Sequence, residues 1–195
     1  MATRAQTNIG TAAAKAGSPV VLQVLPSLVT GGAERGAVDV AVALARAGGT
    51  ALVVSEGGPM EHELTRGGGL HIKLPLASKN PFVMYRNIAR LSEVIRAHGV
   101  EIVHARSRAP AWGAAAAAKR CGVHFSTTFH GVYNFNNPIK RRYNAIMTAG
   151  ERVIANSNFV ARHIRENYAI DPARVQIIRR GIDLQRFDPE RVSAE

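Results

Sequence analysis

Cysteine is almost absent: Cys121 stands alone in 195 residues, so no internal disulfide can form and a core must hold the fold. Its place after an alanine-rich stretch reads as ordinary packing and fits a reducing compartment. No apolar run approaches the roughly 20 residues that a membrane-spanning helix needs. Met1 to Ser18 lacks the apolar centre of a secretory signal and reads as a disordered leader. The chain is therefore expected to be cytoplasmic and soluble, or peripheral on the inner face of a membrane. Acid is also scarce, with Asp+Glu 14 against Lys+Arg 25 and a formal charge of +11. That excess favours polyanions: nucleic acid, an anionic membrane or phosphorylated small molecules. The 47 residues from His104 to Gly150 hold seven Lys/Arg and no acid at all.

Several chemical signatures are missing too. The glycines at 31, 32 and 36 match neither G-x-G-x-x-G nor the Walker pattern, since Gly36 is followed by Ala37-Val38, which disfavours a conventional dinucleotide or ATP site. His62, His71, His98, His104, His124 and His163 form no H-E-x-x-H or paired spacing, and His62-Glu63 lacks the second histidine, so no metal site is expected. There is no G-x-S-x-G elbow for a Ser-His-Asp hydrolase, and the basic stretch holds no paired carboxylates for glycoside hydrolysis. Tyr133, Phe135 and Tyr143 do not form an RRM pattern, and no zinc finger or bZIP pattern accompanies them, so nucleic acid is not expected as a partner.

What is present begins at Val20. Short apolar runs alternate with helical stretches, the pattern of repeated βαβ units around a buried parallel sheet. The fold class is therefore α/β, a Rossmann-like parallel sheet with helices on both faces. Strands are expected at Val20 to Leu25, Ala51 to Ser55, His71 to Leu74, Glu101 to His104, His124 to Phe129, Arg152 to Ala155 and Val175 to Ile178. Helices are expected from Glu34 to about Ala45, from Pro81 to the glycine at 99, from Ala111 to Cys121, after Asn137-Pro138, and from about Ser157 to Tyr168. The helix after Pro138 is expected to turn Ile139, Tyr143, Ile146 and Met147 inward and Lys140, Arg141, Arg142 and Asn144 outward. One domain over residues 19–180 follows, with 181–195 as the start of a linker.

In such a sheet the loops leaving the strands at Leu25, His104 and Phe129 share one edge, where open α/β sheets bind ligands. Gly31-Gly32 would let backbone N–H groups approach a phosphate; a tight turn alone is the competing reading. Arg106 and Arg108, around Ser107, can fork onto phosphate or carboxylate oxygens, or be solvated loop arginines. His130-Gly131 can pair an imidazole with close backbone approach to a sugar or phosphate, although a lone histidine is more often structural. Lys140-Arg141-Arg142 suits a phosphorylated acceptor or an anionic membrane as well as a merely solvated helix face.

Taken in order, Gly31-Gly32-Ala33-Glu34, the His104 to Arg108 segment, Thr128-Phe129-His130-Gly131-Val132-Tyr133, Lys140 to Asn144, Ala155-Asn156-Ser157 and Gly181-Ile182-Asp183 with Phe187 and Pro189 resemble the amino-terminal half of family 4 glycosyltransferases. The resemblance covers roughly Val20 to Pro189. It implies one half of a GT-B enzyme, in which this domain binds the acceptor and a second domain binds a nucleotide-sugar donor. It further implies transfer with retention, without a metal or other cofactor, to a cell-envelope glycan or glycolipid, as in lipopolysaccharide or polysaccharide biosynthesis. By the family pattern His130 is the catalytic-cleft residue and Gly31 and Gly32 meet the donor diphosphate. Glu34, Arg106, Ser107, Arg108, Gly131, Tyr133, Asn134, Lys140, Arg141, Arg142, Asn156 and Ser157 would lie toward the acceptor. In the family the Gly181 to Pro189 segment crosses into the donor domain, so these 195 residues alone are expected to show no appreciable transferase activity. A non-catalytic module that binds a phosphorylated ligand or anionic membrane through its basic face is the competing reading.

Overall fold

A computed structural model describes residues 18–134 and 136–181; the expected leader falls almost wholly, and the expected linker but for Gly181, outside them. Seven strands, β1 (Val20–Val24), β2 (Thr50–Ser55), β3 (Leu70–Lys73), β4 (Ile102–Ala105), β5 (His124–Phe129), β6 (Arg152–Ala155) and β7 (Val175–Ile177), form one sheet. Their order is β3-β2-β1-β4-β5-β6-β7 and every pairing is parallel. Six helices connect them: α1 (Gly32–Arg46), α2 (Glu61–Arg66), α3 (Pro81–Ala97), α4 (Arg108–Cys121), α5 (Pro138–Asn144) and α6 (Asn158–Asn167). Strand order reverses between β1 and β4, so this doubly wound sheet opens its crevice at the carboxyl ends of those two strands.

Alternation along the strands divides the core. Leu22 and Val24, with Leu52, Val54, Val103 and Ala105, pack toward α3, α4 and α6. Leu25, Ala51 and Val53 pack on the other face against Ala37, Val38 and Ala41 of α1 and Leu64 of α2. Two apolar faces per strand are what near-continuous aliphatic runs encode. Helix α4 lies close on the sheet because Ala111, Ala114 and Ala117 are fully buried and add almost no side-chain height. Cys121 is partly buried, its thiol directed at the Ser92 carbonyl at 3.7 Å.

Three local expectations need correction. Helix α2 was not anticipated; six residues hold too few apolar positions to show a period, and only Leu64 is buried. Helix α4 begins at Arg108, not Ala111, because Pro110 is compatible with a first turn and Ser107 takes the cap position. Helix α5 keeps Lys140, Arg141 and Arg142 outward, and Met147 after it is buried, as expected, but the arrangement departs at Ile139, Tyr143 and Asn144. Ile139 is 81% exposed and Tyr143 lies outside, whereas Asn144 is only 1% exposed. A seven-residue helix makes under two turns, so the partners of its end decide its rotation, and Arg108 claims Asn144.

Candidate active site

At the reversal of strand order the α1 side of the sheet becomes polar. Gln23, inside the apolar run of β1, is buried; its amide nitrogen donates to the Ala37 carbonyl of α1 at 2.8 Å, and its oxygen accepts from Arg106 Nη1 at 2.7 Å. One residue before the loop, His104 Nε2 meets Thr128 Oγ1 of β5 at 2.7 Å. Arg106 is 7% exposed and passes beneath the first turns of α1, where a Cβ at Gly36 would lie 2.9 Å from Arg106 Nη2. Its Nε is buried without a partner.

Above this buried layer sit the glycine turn and His130. No side chain caps α1, so its first-turn N–H groups are left to a ligand or solvent. The Glu34 carboxylate folds against Gly31, and a Cβ there would collide with it. A Cβ at Gly32 would collide with Arg180 Nη1, which rests on that turn from the segment after β7. Arg180 Nη2 reaches His130 Nδ1 at 2.7 Å. Since a guanidinium only donates, Nδ1 carries the lone pair and the imidazole proton is on Nε2, which is buried without a partner. The His130 carbonyl accepts from Asn156 Nδ2 at 3.0 Å, which ties the exit of β5 to that of β6.

The electrostatics follow from burial. His104 and His130 are each pushed down to about 3, by burial first and then by the Arg106 charge; each also loses to a further neighbour, His130 in one case and Arg180 in the other. Arg106 is pushed down to about 10, by burial and then by Arg180, with Asp39 and Glu34 acting in the opposite sense. Among the described residues no carboxylate forms an ion pair with Arg106 or Arg180. Two guanidiniums and the neutral His130 imidazole therefore gather at an uncapped helix N terminus, against the single carboxylate of Glu34, and the excess positive charge attracts an anion.

The remaining expected residues form a second group. Arg108 Nη1 donates to Asn144 Oδ1 at 2.8 Å, and its guanidinium lies 4.4 Å over the Tyr133 ring. Tyr133 packs on Phe129 at 5.0 Å between centroids, and its hydroxyl is pushed up to about 12 by burial. Asn144 Nδ2 returns to the Asn134 carbonyl at 3.4 Å, which closes the loop after His130. Ser107 and Ser157 stand at helix starts, and Ser157 Oγ accepts from Val160 N at 3.2 Å. Lys140, Arg141 and Arg142 are exposed, with Arg141 reaching the Asn167 carbonyl at 2.9 Å. A Cβ at Gly131 would meet nothing within 4 Å, so the protein's own packing does not require glycine there. No group of three His, Cys, Asp or Glu among the described residues is placed to hold a metal ion.

The family model for glycosyltransferase family 4 matches residues 30–186. The chain belongs to glycosyltransferase family 4. A glycosyltransferase from Rickettsia africae ESF-5 is 45% identical, with a TM-score of 0.80, over 91% of this chain and 47% of its own. Anabaena HepE, crystallised with UDP and glucose, shares the fold at 17% identity and a TM-score of 0.70, over 86% of this chain and 46% of its own. MurG from Acinetobacter baumannii does so at 15% identity and a TM-score of 0.56, over 88% and 48%. No curated protein sequence matches. This family 4 chain thus spans about half the length of the solved proteins that it resembles.

Sequence reasoning brought Gly31, Gly32, Glu34, Arg106 and His130 to one edge, and the structure places them there together. It missed Gln23 and Arg180. Gln23 had a signal, a lone amide in a buried aliphatic strand; Arg180 had only its position beside the matched Gly181-Ile182-Asp183 segment.

Proposed function

We propose that this chain forms one wall of a glycosyl-transfer cleft whose donor is a nucleotide sugar. The observation that carries the reading is the uncapped N terminus of α1 beside Arg106, His130 and Arg180, with no carboxylate among the described residues paired to either arginine. A diphosphate is the ligand class that suits it, because helix N–H groups and guanidinium both favour a divalent oxyanion. The UDP and glucose bound by Anabaena HepE are in keeping with this. Gly31 and Gly32 would meet the diphosphate, and the α1 dipole would stabilise the charge that develops as the sugar leaves. His130, neutral throughout the physiological range, lies toward the transferred sugar as a hydrogen-bonding group rather than as an acid. The open space before Gly131 leaves room for the sugar or acceptor.

Retention of configuration, independence of a metal and a second domain supplying the other wall belong to the same proposal. It is tested on the longest natural product that contains this chain, by screening nucleotide sugars against glycan and glycolipid acceptors with mass spectrometry. Turnover is expected to persist in chelator and to give the donor's anomeric configuration. Absence of turnover with every nucleotide sugar would sink the reading.

The rim beside the cleft favours an acceptor held at an anionic surface. Residues 64–92 and 102–150 contain no Asp or Glu. Met84 and Asn87 of α3 lie against Ala109, Pro110 and Gly113 of α4, and Trp112 of α4 stacks on Tyr143 of α5 at 6.3 Å. Phe82 at 80% exposure and Tyr85 at 76% stand on α3 and Ile139 at 81% on α5, close in sequence to Lys79, Arg86, Lys140 and Arg142. Aromatic rings and basic side chains together suit a headgroup layer, with ~1 kcal/mol per basic residue at the surface. A lipid-linked cell-envelope acceptor and a peripheral location at the cytoplasmic face follow as parts of the proposal. Sedimentation with phosphatidylglycerol vesicles, but not phosphatidylcholine vesicles, is the expected result, and sedimentation with neither, or equally with both, would remove this part.

A further inference from the structure

Arg180 is the side chain in this wall for which the expected roles leave no place. It comes from the far end of the described chain, 50 positions from His130, yet its guanidinium touches both the glycine turn and the imidazole. An exposed arginine ordinarily points to water or a carboxylate. Here no carboxylate of the described residues pairs with it, and it stands close enough to the buried Arg106 to oppose that residue's charge. Arg106 in turn is 7% exposed, with an unpartnered buried Nε and its Nη2 close under Gly36 of the same helix. Repulsion between two guanidiniums is relieved by an anion placed between them and the first N–H groups of α1.

We propose that Arg180 is a phosphate-binding and positioning residue, whose planar fork spans from a phosphate at the α1 N terminus, through Nη1, to His130 Nδ1, through Nη2. This rests on the reading of the turn at Gly31-Gly32 as the diphosphate site. Nη1 already lies over Gly32, so binding requires no movement of the arm, and Nη2 keeps the imidazole in the single tautomer with its proton on Nε2. The absence of a side chain at 32 is what seats the guanidinium; Gly32 serves Arg180 as well as the ligand. Lysine could supply the charge but not both contacts, since its ammonium lacks the fork.

Inorganic pyrophosphate is the probe, titrated into the 195-residue chain and followed by calorimetry and by nitrogen NMR of the labelled histidines. Saturable binding is expected, with His130 in the Nε2–H tautomer before and after. Arg180→Gln should weaken pyrophosphate by roughly tenfold or more, the scale of one charged hydrogen bond, and release His130 into a mixture of tautomers. Arg180→Lys should stay within a few-fold in affinity, yet release the tautomer as Arg180→Gln does. Gly32→Ala should reproduce the tautomer loss with Arg180 intact, by pushing the guanidinium off its seat. Thermal melts confirm that each variant folds, and Arg165→Gln on α6, an exposed arginine away from the turn, controls for net charge. The proposal is overturned if the wild-type chain shows no saturable binding, if Arg180→Gln weakens binding no more than Arg165→Gln, or if His130 carries its proton on Nδ1. These readouts contain no sugar and no turnover. Pyrophosphate held through Arg180, in a protein that transfers no sugar, would uphold this inference and sink the proposed function.

Discussion

His104 and His130 stand on adjacent strand ends with Arg106 between them, and burial keeps both imidazoles neutral down to about pH 3. In the unfolded chain each would take up a proton near pH 6.5. Between those values the unfolded state binds more protons than the folded one, so stability falls as pH falls, by at most about 1.4 kcal/mol per pH unit for each group. The thermal midpoint should therefore drop from pH 7.5 to pH 5, and His104→Gln, which can still meet Thr128, should flatten that slope; a slope unchanged by the substitution would exclude His104 as its source. Arg108 offers a second measurement at this scale. It pairs with a buried amide and covers the Tyr133 ring, so Arg108→Ala leaves Asn144 Oδ1 unsatisfied and should cost about 2 kcal/mol in urea unfolding. Arg108→Lys should recover less than half, because one ammonium cannot lie over the ring and reach the amide as a flat guanidinium does.

The elements differ in how clearly the sequence announces them. Strands β5 and β6 run between their expected ends, His124 to Phe129 and Arg152 to Ala155, because aliphatic and aromatic residues stop there against glycine, asparagine or a helix cap. The alanines of α4 announce a close helix-to-sheet contact with equal clarity. Ala117→Leu would insert a branched side chain into a fully buried site and should destabilise the chain by about 1–3 kcal/mol, read as a lower urea midpoint at constant slope. Short elements are harder to read. In α5 the apolar residues Ile139 and Tyr143 suggest an inward face, but Asn144 is drawn in by Arg108 from a different helix, a contact 36 positions away. Asn137 caps this helix through Lys140 N at 2.8 Å, so Asn137→Ala should cost about 1 kcal/mol locally, seen as faster hydrogen exchange at Lys140 and Arg141.

For the whole molecule, a sheet that reverses its strand order beside β1 puts one anion-attracting wall and one basic, aromatic rim along the same edge. A wall orients a ligand from one side only. These 195 residues by themselves should bind phosphate yet give no detectable sugar transfer, checked by mass spectrometry of donor and acceptor after prolonged incubation. Vesicle binding, if it runs through the rim, should fall steeply with salt, since attraction between exposed charges is screened within about 10 Å at 0.1 M. The sequence by itself determined the parallel sheet, its longer crossover helices and the convergence of Gly31, Gly32, Arg106 and His130. Alternation of apolar runs is a local property, and parallel connections leave all strand exits on one edge. Only the tertiary structure decided that Arg106 is buried on Gln23, that Arg108 holds Asn144 and Tyr133, and that Arg180 rests on Gly32 and His130. Each of those contacts joins residues far apart in the chain, and a guanidinium's reach and rotamer are set by what the packed neighbours leave open.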